Sequence, residues 1–368
     1  MAAPPVPPSP PQSTFTSSAF SGANLCDAAI PDAQLDAAQA AGIHVVRFTP
    51  DSWKSAQRDF LIGDADQYIA LVDDDLKFLQ KKLDTAHRLG LRVIITTRTL
   101  PGARWASANP ETPDGRLWKE STYQLQAIRF WKDLAAAIGS HPAIIAFDPL
   151  YRPFPLFAAH KLSDPTTEEF ARVVATTRGS LVDADVLYDR IIRGIRQSAP
   201  RMPVIVHSIG GGSPYAMRYL RPQADPAVMY AFRAFEPTPY TDSRLNQTRF
   251  HYPDRMPGSS DTLAVWNRDK LAAAYQAVVE FQRKYAISAH RILVSEYGAS
   301  RKAGGVVGYF TNLHGIFQTH GWNRLLYCFQ SVSKPEYDYE LGTNPASSTR
   351  SNNSLWKTIR KDFSARLK

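Results

Sequence analysis

A carboxylate that closes a buried run is the first place to look for chemistry. Glu296 follows RILVS in the stretch RILVSEYGAS, which reads as a strand in the wall of a sheet. A charge in such a place must be held by partners, which makes Glu296 a candidate site residue rather than a solvated surface group. A second candidate is FDPLYRP, Phe147–Pro153, at the end of the apolar run HPAIIA. It delivers Tyr151 and Arg152 where the chain turns, with Asp148 as its one carboxylate. Arginine stays protonated at any working pH, so Arg152 suits anion recognition and not proton cycling. Arg47, Arg98 and Arg233 close three other apolar runs in the same way. A single arginine at a strand end is commonly a surface ion-pair partner; a set of them is harder to assign to that role alone.

The elements that must position these residues alternate along the chain. SGANL, IHVVRF, LRVIITT, AIIAF, MPVIVHS, AVMYAF, RILVSEY and RLLYCF are β-branched or apolar runs of strand length. Between them lie helical patterns, one with Leu76, Leu79, Leu83 and Ala86 on a face and a stop near Gly90. Others are expected over 120–139, 183–198, 266–286 and 303–320, with a last one near 351–366. Eight strand–helix units without a linker predict a single α/β (β/α)₈ TIM barrel over 19–368. The rival, an open doubly wound sheet, usually has a Gly-rich first turn. The one glycine cluster, GGGSP at 210–214, follows the fifth strand and lacks phosphate-loop spacing. In a barrel, function sits at the C-terminal strand ends. That would bring Arg47, Arg98, Arg152 and Arg233 to one mouth with Glu296.

Composition narrows the partners. The chain has 368 residues, 44% of them hydrophobic and 21% charged, which is enough for a substantial core. No apolar stretch reaches membrane-spanning length, so no membrane span is expected. Residues 1–18, MAAPPVPPSPPQSTFTSS, read as a Pro/Ser-rich flexible arm, with no apolar signal-peptide core behind the first methionine. Such an arm suits a periplasmic or secreted protein whose export signal has been removed. The net charge of +9 favours an acidic partner. There is no basic helix or zinc spacing, so nucleic acid is not the expected partner. Cys26 and Cys328 have no metal-site spacing and read as two buried thiols. Because the first and eighth strands of a closed barrel are neighbours, a disulfide between them stays open.

The order and spacing of these segments resemble the cellulase-type retaining glycosidases of glycoside hydrolase family 5, from about Gly22 to Gly342. The resemblance is carried by GANL, AAQAAGIHVVRF, LGLRVIITTRTLPG, HPAIIAFDPLYRP, AVMYAFRAFEPTPYT, RILVSEYGAS and YDYELG. It implies a nucleophile at Glu296. It also places Arg152 where the family has its acid/base glutamate, and Tyr151 where the family has the preceding asparagine. Arg98 and Arg233 correspond to histidines beside the substrate, and Phe235 to a tyrosine that usually partners the nucleophile. The family's sugar-stacking tryptophan has no match, and Tyr327 is the nearest substitute. The family needs no metal and no cofactor.

Retaining hydrolysis takes two carboxyl groups about 5–5.5 Å apart, one as nucleophile and one as acid/base. With arginine in the second position, the expectation is a divergent carbohydrate-binding protein. Its ligand would be a polysaccharide or oligosaccharide, expected to be anionic, held by Arg47, Arg98, Tyr151, Arg233 and Tyr327. Among the aromatic residues that could stack on sugar rings, Trp53 and Trp105 lie in post-strand loops, while Tyr240 and Trp266 are further candidates. Asp148 is expected to be structural and Glu236 to lie outside the catalytic pair. Asp164, Glu168 and Glu169 are the carboxylates that a loop could fold over the mouth. The alternative is an active retaining endo-β-glucanase-type enzyme with Glu296 as nucleophile and an acid from a loop or from the substrate.

Overall fold

Alternate residues of a strand face opposite sides of its sheet, and the strands here carry two different apolar sets. The computed structural model describes residues 19–27, 30–50, 58–104, 114–258 and 263–364. The strands in chain order are β1 (Ser21–Leu25), β2 (Val45–Phe48), β3 (Arg92–Thr96), β4 (Ile144–Asp148), β5 (Val204–His207), β6 (Val228–Ala234), β7 (Asp254–Pro257), β8 (Leu263–Trp266), β9 (Ile292–Tyr297) and β10 (Asn323–Leu326). Eight of them close into a parallel barrel in the order β1-β10-β9-β6-β5-β4-β3-β2. The (β/α)₈ expectation therefore holds. Strands β7 and β8 are an addition to it and form a separate antiparallel hairpin.

Val45, Ile94, Ala146, Ile205, Ala231, Leu293 and Leu325 pack into one interior cluster with Phe20. Two residues further along four of these strands come Arg47, Thr96, Asp148 and His207, all buried. The period of two thus lifts polar side chains from the apolar floor toward the mouth. The opposite faces (Val46, Ile95, Phe147, Val206 and Phe232) pack outward in a larger cluster with helix residues such as Leu79, Leu83, Phe130 and Ile191.

The surrounding helices include Asp73–Arg88, Ser121–Ile138, Ala184–Arg196 and Val306–His320. The first opens on three aspartates, which favour the positive end of the helix dipole. Asp183 caps Ala184–Arg196 by accepting from the Asp185 N–H. The helix expected over 266–286 is two pieces, Arg268–Ala273 and Gln276–Tyr285. Trp266 belongs to β8, and the break falls where Tyr275 turns to pack between Phe232 and Trp322. The last helix is shorter than expected, Ser354–Arg360 followed by a 3₁₀ turn. The arm at 1–18 lies outside the described residues. Among the described residues, no helix is long and apolar enough to cross a membrane.

Candidate functional site at the barrel mouth

Glu296 is 1% exposed near the end of β9, and three guanidiniums surround it. Arg233, across the β6–β9 pairing, donates from Nε to one carboxylate oxygen at 2.6 Å. Arg47 donates from Nη1 to the other at 3.3 Å. Arg152 stands at 3.8 Å from the oxygen that Arg233 holds. Burial alone would raise the Glu296 carboxyl, but Arg233, then Arg152 and Arg47, outweigh it and hold it far below the usual carboxylate range.

Beneath this cluster lies a second layer. Arg47 is fully buried and also meets Asp148 at 2.6 Å and the Asn24 side chain at 3.1 Å. Its guanidinium is a counter-ion inside the barrel, with no surface open to a ligand, and not the ligand contact that its strand-end position suggests. Asp148 in turn accepts from His207 Nε2 at 3.0 Å. Burial pushes Asp148 up, and Arg47 and His207 together bring it below its ordinary value. Asp148 is therefore the buried counter-ion of Arg47.

Tyr151 and Arg152 sit in the turn after β4. Arg152 has φ +50°, a left-handed backbone that a non-glycine residue adopts at a cost and that clusters at functional sites. Three guanidiniums, those of Arg47, Arg98 and Arg152, lie 5.1–5.9 Å from the centre of the Tyr151 ring. Burial and then Glu296 push the Tyr151 phenol up to about 12, against the pull of Arg152 and Arg98. Arg98 donates to the Cys26 carbonyl at 2.9 Å and to Thr49 Oγ1 at 3.2 Å. Tyr327 is half-buried, edge-on to Phe235 and to Tyr337.

The four strand-end arginines, Glu296, Tyr151 and Tyr327 thus come together at one end of the barrel. Trp53 and Trp105 lie outside the described residues. Tyr240 and Trp266 are buried, 0% and 2% exposed, and are packing residues rather than stacking platforms. Glu168 and Glu169 are exposed in the first turn of the helix Glu168–Thr176, whereas Asp164 lines a cavity at the mouth. Cys26 and Cys328 are both free and buried.

Two cavities of about 400 Å³ each open at this end. One runs from Arg98 past Tyr151 and Arg152 to Lys161, with Trp118 and Phe157 in its wall. The other lies between Arg233, Glu236, Asp164 and the glycine turn Gly210–Gly212. Sequence reasoning misses Lys161 and Trp118, and sets aside both Glu236 and the GGG turn. Only the odd run of three glycines could have signalled the second cavity. Among the described residues, no cluster of three or more His, Cys, Asp or Glu side chains could hold a metal ion.

No protein-family model and no curated protein matches this chain. Solved structures do. A hyperthermophilic endo-β-1,4-glucanase solved with its substrate superposes with TM-score 0.66 at 16% identity, covering 95% of this chain and 99% of that one. The Thermotoga maritima Cel5A complex with mannotriose gives 0.64 at 16%, covering 94% and 98%. The cellulose synthase subunit Z (CcsZ) of Clostridioides difficile gives 0.64 at 12%, covering 93% and 99%. The fold is that of the family 5-like glycosidases, as the sequence resemblance implies.

Proposed function

On this fold, we propose a protein that binds an oligosaccharide or polysaccharide carrying anionic groups in the arginine-lined mouth and does not hydrolyse it. The observation that carries this reading is the state of Glu296. Both of its oxygens are engaged by guanidiniums, and Arg152 approaches the same carboxylate from the position where the resemblance puts the acid/base. A retaining glycosidase needs a nucleophile free to reach the anomeric carbon and a carboxylic acid to protonate the leaving oxygen. Arginine cannot supply that proton. Guanidinium forks do match carboxylate or sulfate groups, and Tyr151 adds an aromatic face among them. Mannotriose, the ligand in the Cel5A complex, is an uncharged sugar; a mouth lined with arginine suits a charged one. A periplasmic or secreted location belongs to the same proposal.

A glycan array of neutral and acidic polysaccharides, read at low and high salt beside a reducing-sugar assay, tests the reading. The expected result is salt-sensitive binding confined to acidic glycans with no new reducing ends. Cleavage of a neutral β-glucan without acidic binding would overturn it. So would a glycosyl adduct on Glu296 after incubation with an activated aryl glycoside, which would favour the retaining-enzyme alternative.

A further inference from the structure

The two cavities flank one carboxylate and have opposite character. Arg152 lines the first cavity and Arg233 the second, and both face Glu296. In the first, Arg98, Arg152 and Lys161 are part of the wall, together with Arg104 and Asp114. Arg104 is already paired with Asp59 at 3.1 Å and Asp64 at 3.3 Å. Asp114 is held by Arg116 at 2.9 Å, and Arg152 is shared with Glu296 at 3.8 Å. The wall is cationic on balance, with aromatic support from Trp118.

In the second, the charges facing the space are Asp164, Glu236 and an Arg233 committed to Glu296 and to the Gly211 carbonyl at 3.2 Å. Glu236 is 7% exposed, and its Oε2 has no hydrogen-bond partner. A buried carboxyl oxygen without a partner is costly and asks for a ligand group. A sugar hydroxyl answers it in either protonation state, because it both donates and accepts. A sulfate or carboxylate does not, since it would meet Asp164, and Glu236 whenever that group is ionised, as like charges.

Phe154, in the wall of the first space, packs against Gly211, in the wall of the second. A Cβ at Gly211 would stand 2.1 Å from Phe154 Cζ. The Gly211 N–H also donates to the Pro153 carbonyl at 3.0 Å, tying the turn after β4 to the glycine turn. Each space falls within the range that encloses small ligands.

We infer that the mouth reads a charge pattern: an acidic sugar unit against Arg98, Arg152 and Lys161, and a neutral unit against Glu236 and Asp164. The ligand is then a mixed acidic and neutral glycan, not a uniform polyuronate. This inference rests on the acidic-glycan reading above.

Isothermal titration calorimetry with three probes separates the two. The probes are tetragalacturonate, cellotetraose and a tetrasaccharide alternating glucuronate with glucose. The mixed probe is expected to bind at least about tenfold more tightly than either of the others, a difference of about 1.4 kcal/mol. The double variant Asp164→Asn/Glu236→Gln, which keeps hydrogen bonding but removes charge, should raise tetragalacturonate affinity by at least about tenfold. It should leave the mixed probe within about threefold, and circular dichroism establishes that it folds. Equal binding of tetragalacturonate and the mixed probe, unmoved by the double variant, sinks the pattern while leaving acidic-glycan binding intact. Binding of neither acidic probe sinks both readings.

Discussion

Glu296 and Glu236 are buried glutamates at the same end of one barrel, and their surroundings are opposite. Glu296 has three guanidiniums within ion-pair range and is held ionised. Glu236 has an unpartnered oxygen; burial, partly offset by Arg233 and reinforced by Asp164, pushes it up to about 7. The difference comes from position along the chain. Glu296 lies within its strand, where the barrel aims Arg47 and Arg233 at it. Glu236 lies just beyond the end of β6, where the nearest arginine is already committed. A saturated carboxylate is a piece of structure, whereas an unsatisfied one beside a cavity is a place for a ligand.

The sharpest way to break this contrast is to remove a partner from the saturated side. Arg47→Ala would leave Asp148 with His207 alone and would remove the Arg47 guanidinium from one oxygen of Glu296. Orphaning buried charge typically costs about 3–5 kcal/mol. Urea denaturation of the variant is expected to show a loss of that order. A loss under about 1 kcal/mol would mean that the Glu296 layer is not held together by this arginine.

The unsaturated side gives a pH signature. The Glu236 carboxyl ordinarily titrates at 4.5 and in the fold at about 7. Between those values the folded chain holds a proton that the unfolded chain has released, so this group's contribution to stability falls as pH rises. The penalty is absent below about pH 4.5 and complete above about pH 7, amounting to about 3 kcal/mol. Glu296 adds nothing in this window, because its depressed value places its loss of stability in stronger acid. His314 slopes the other way: burial brings it down to about 4, so its contribution rises with pH from there toward its ordinary 6.5. The informative quantity is therefore the difference between the wild-type chain and Glu236→Gln. That difference in unfolding free energy should grow in favour of the variant from about pH 4.5 to about 7. A difference that stays flat across the window would place Glu236 among ordinary solvated carboxylates.

The saturated half of the site is legible in the sequence and the other half is not. Strand runs such as RVIIT and VMYAFRA announce themselves by apolar, β-branched density, and the barrel then dictates that their ends meet. Glu296, Arg152 and Arg233 follow from that rule, and their mutual distances follow from a closed sheet. Arg47 looks like a ligand contact because a sequence shows which strand end a residue occupies but not its depth below the mouth. The hairpin β7–β8 carries no such signal: DRMP and LAVW are four residues each, and the apolar Leu263 and Val265 are exposed rather than turned to a core. Tyr240 and Trp266 look like sugar platforms and are packing, since an aromatic ring carries the same letter in both roles. The second cavity depends on three successive left-handed glycines and on where Phe154 lands, neither of which has a periodic signal.

That glycine turn supplies the smallest effect and the finest test of the contrast. Gly211 has φ +70°, a region that costs a residue with a Cβ about 1–2 kcal/mol. In Gly211→Ala the new methyl would also meet the far edge of the Phe154 ring, which is free to swing because Phe154 is 39% exposed. The steric part is therefore relieved by rotation, and the backbone part remains. The variant should lose about 1–2 kcal/mol in urea denaturation and keep the Glu296 cluster, because the Arg233 contact to position 211 is to a main-chain carbonyl. If Phe154 is what divides the acidic-unit space from the neutral-unit space, the same substitution should narrow the gap between mixed and uniformly acidic probes. A variant that loses stability but preserves the full gap would assign the discrimination to the charges of Glu236 and Asp164 alone, leaving Phe154 as wall and not as divider.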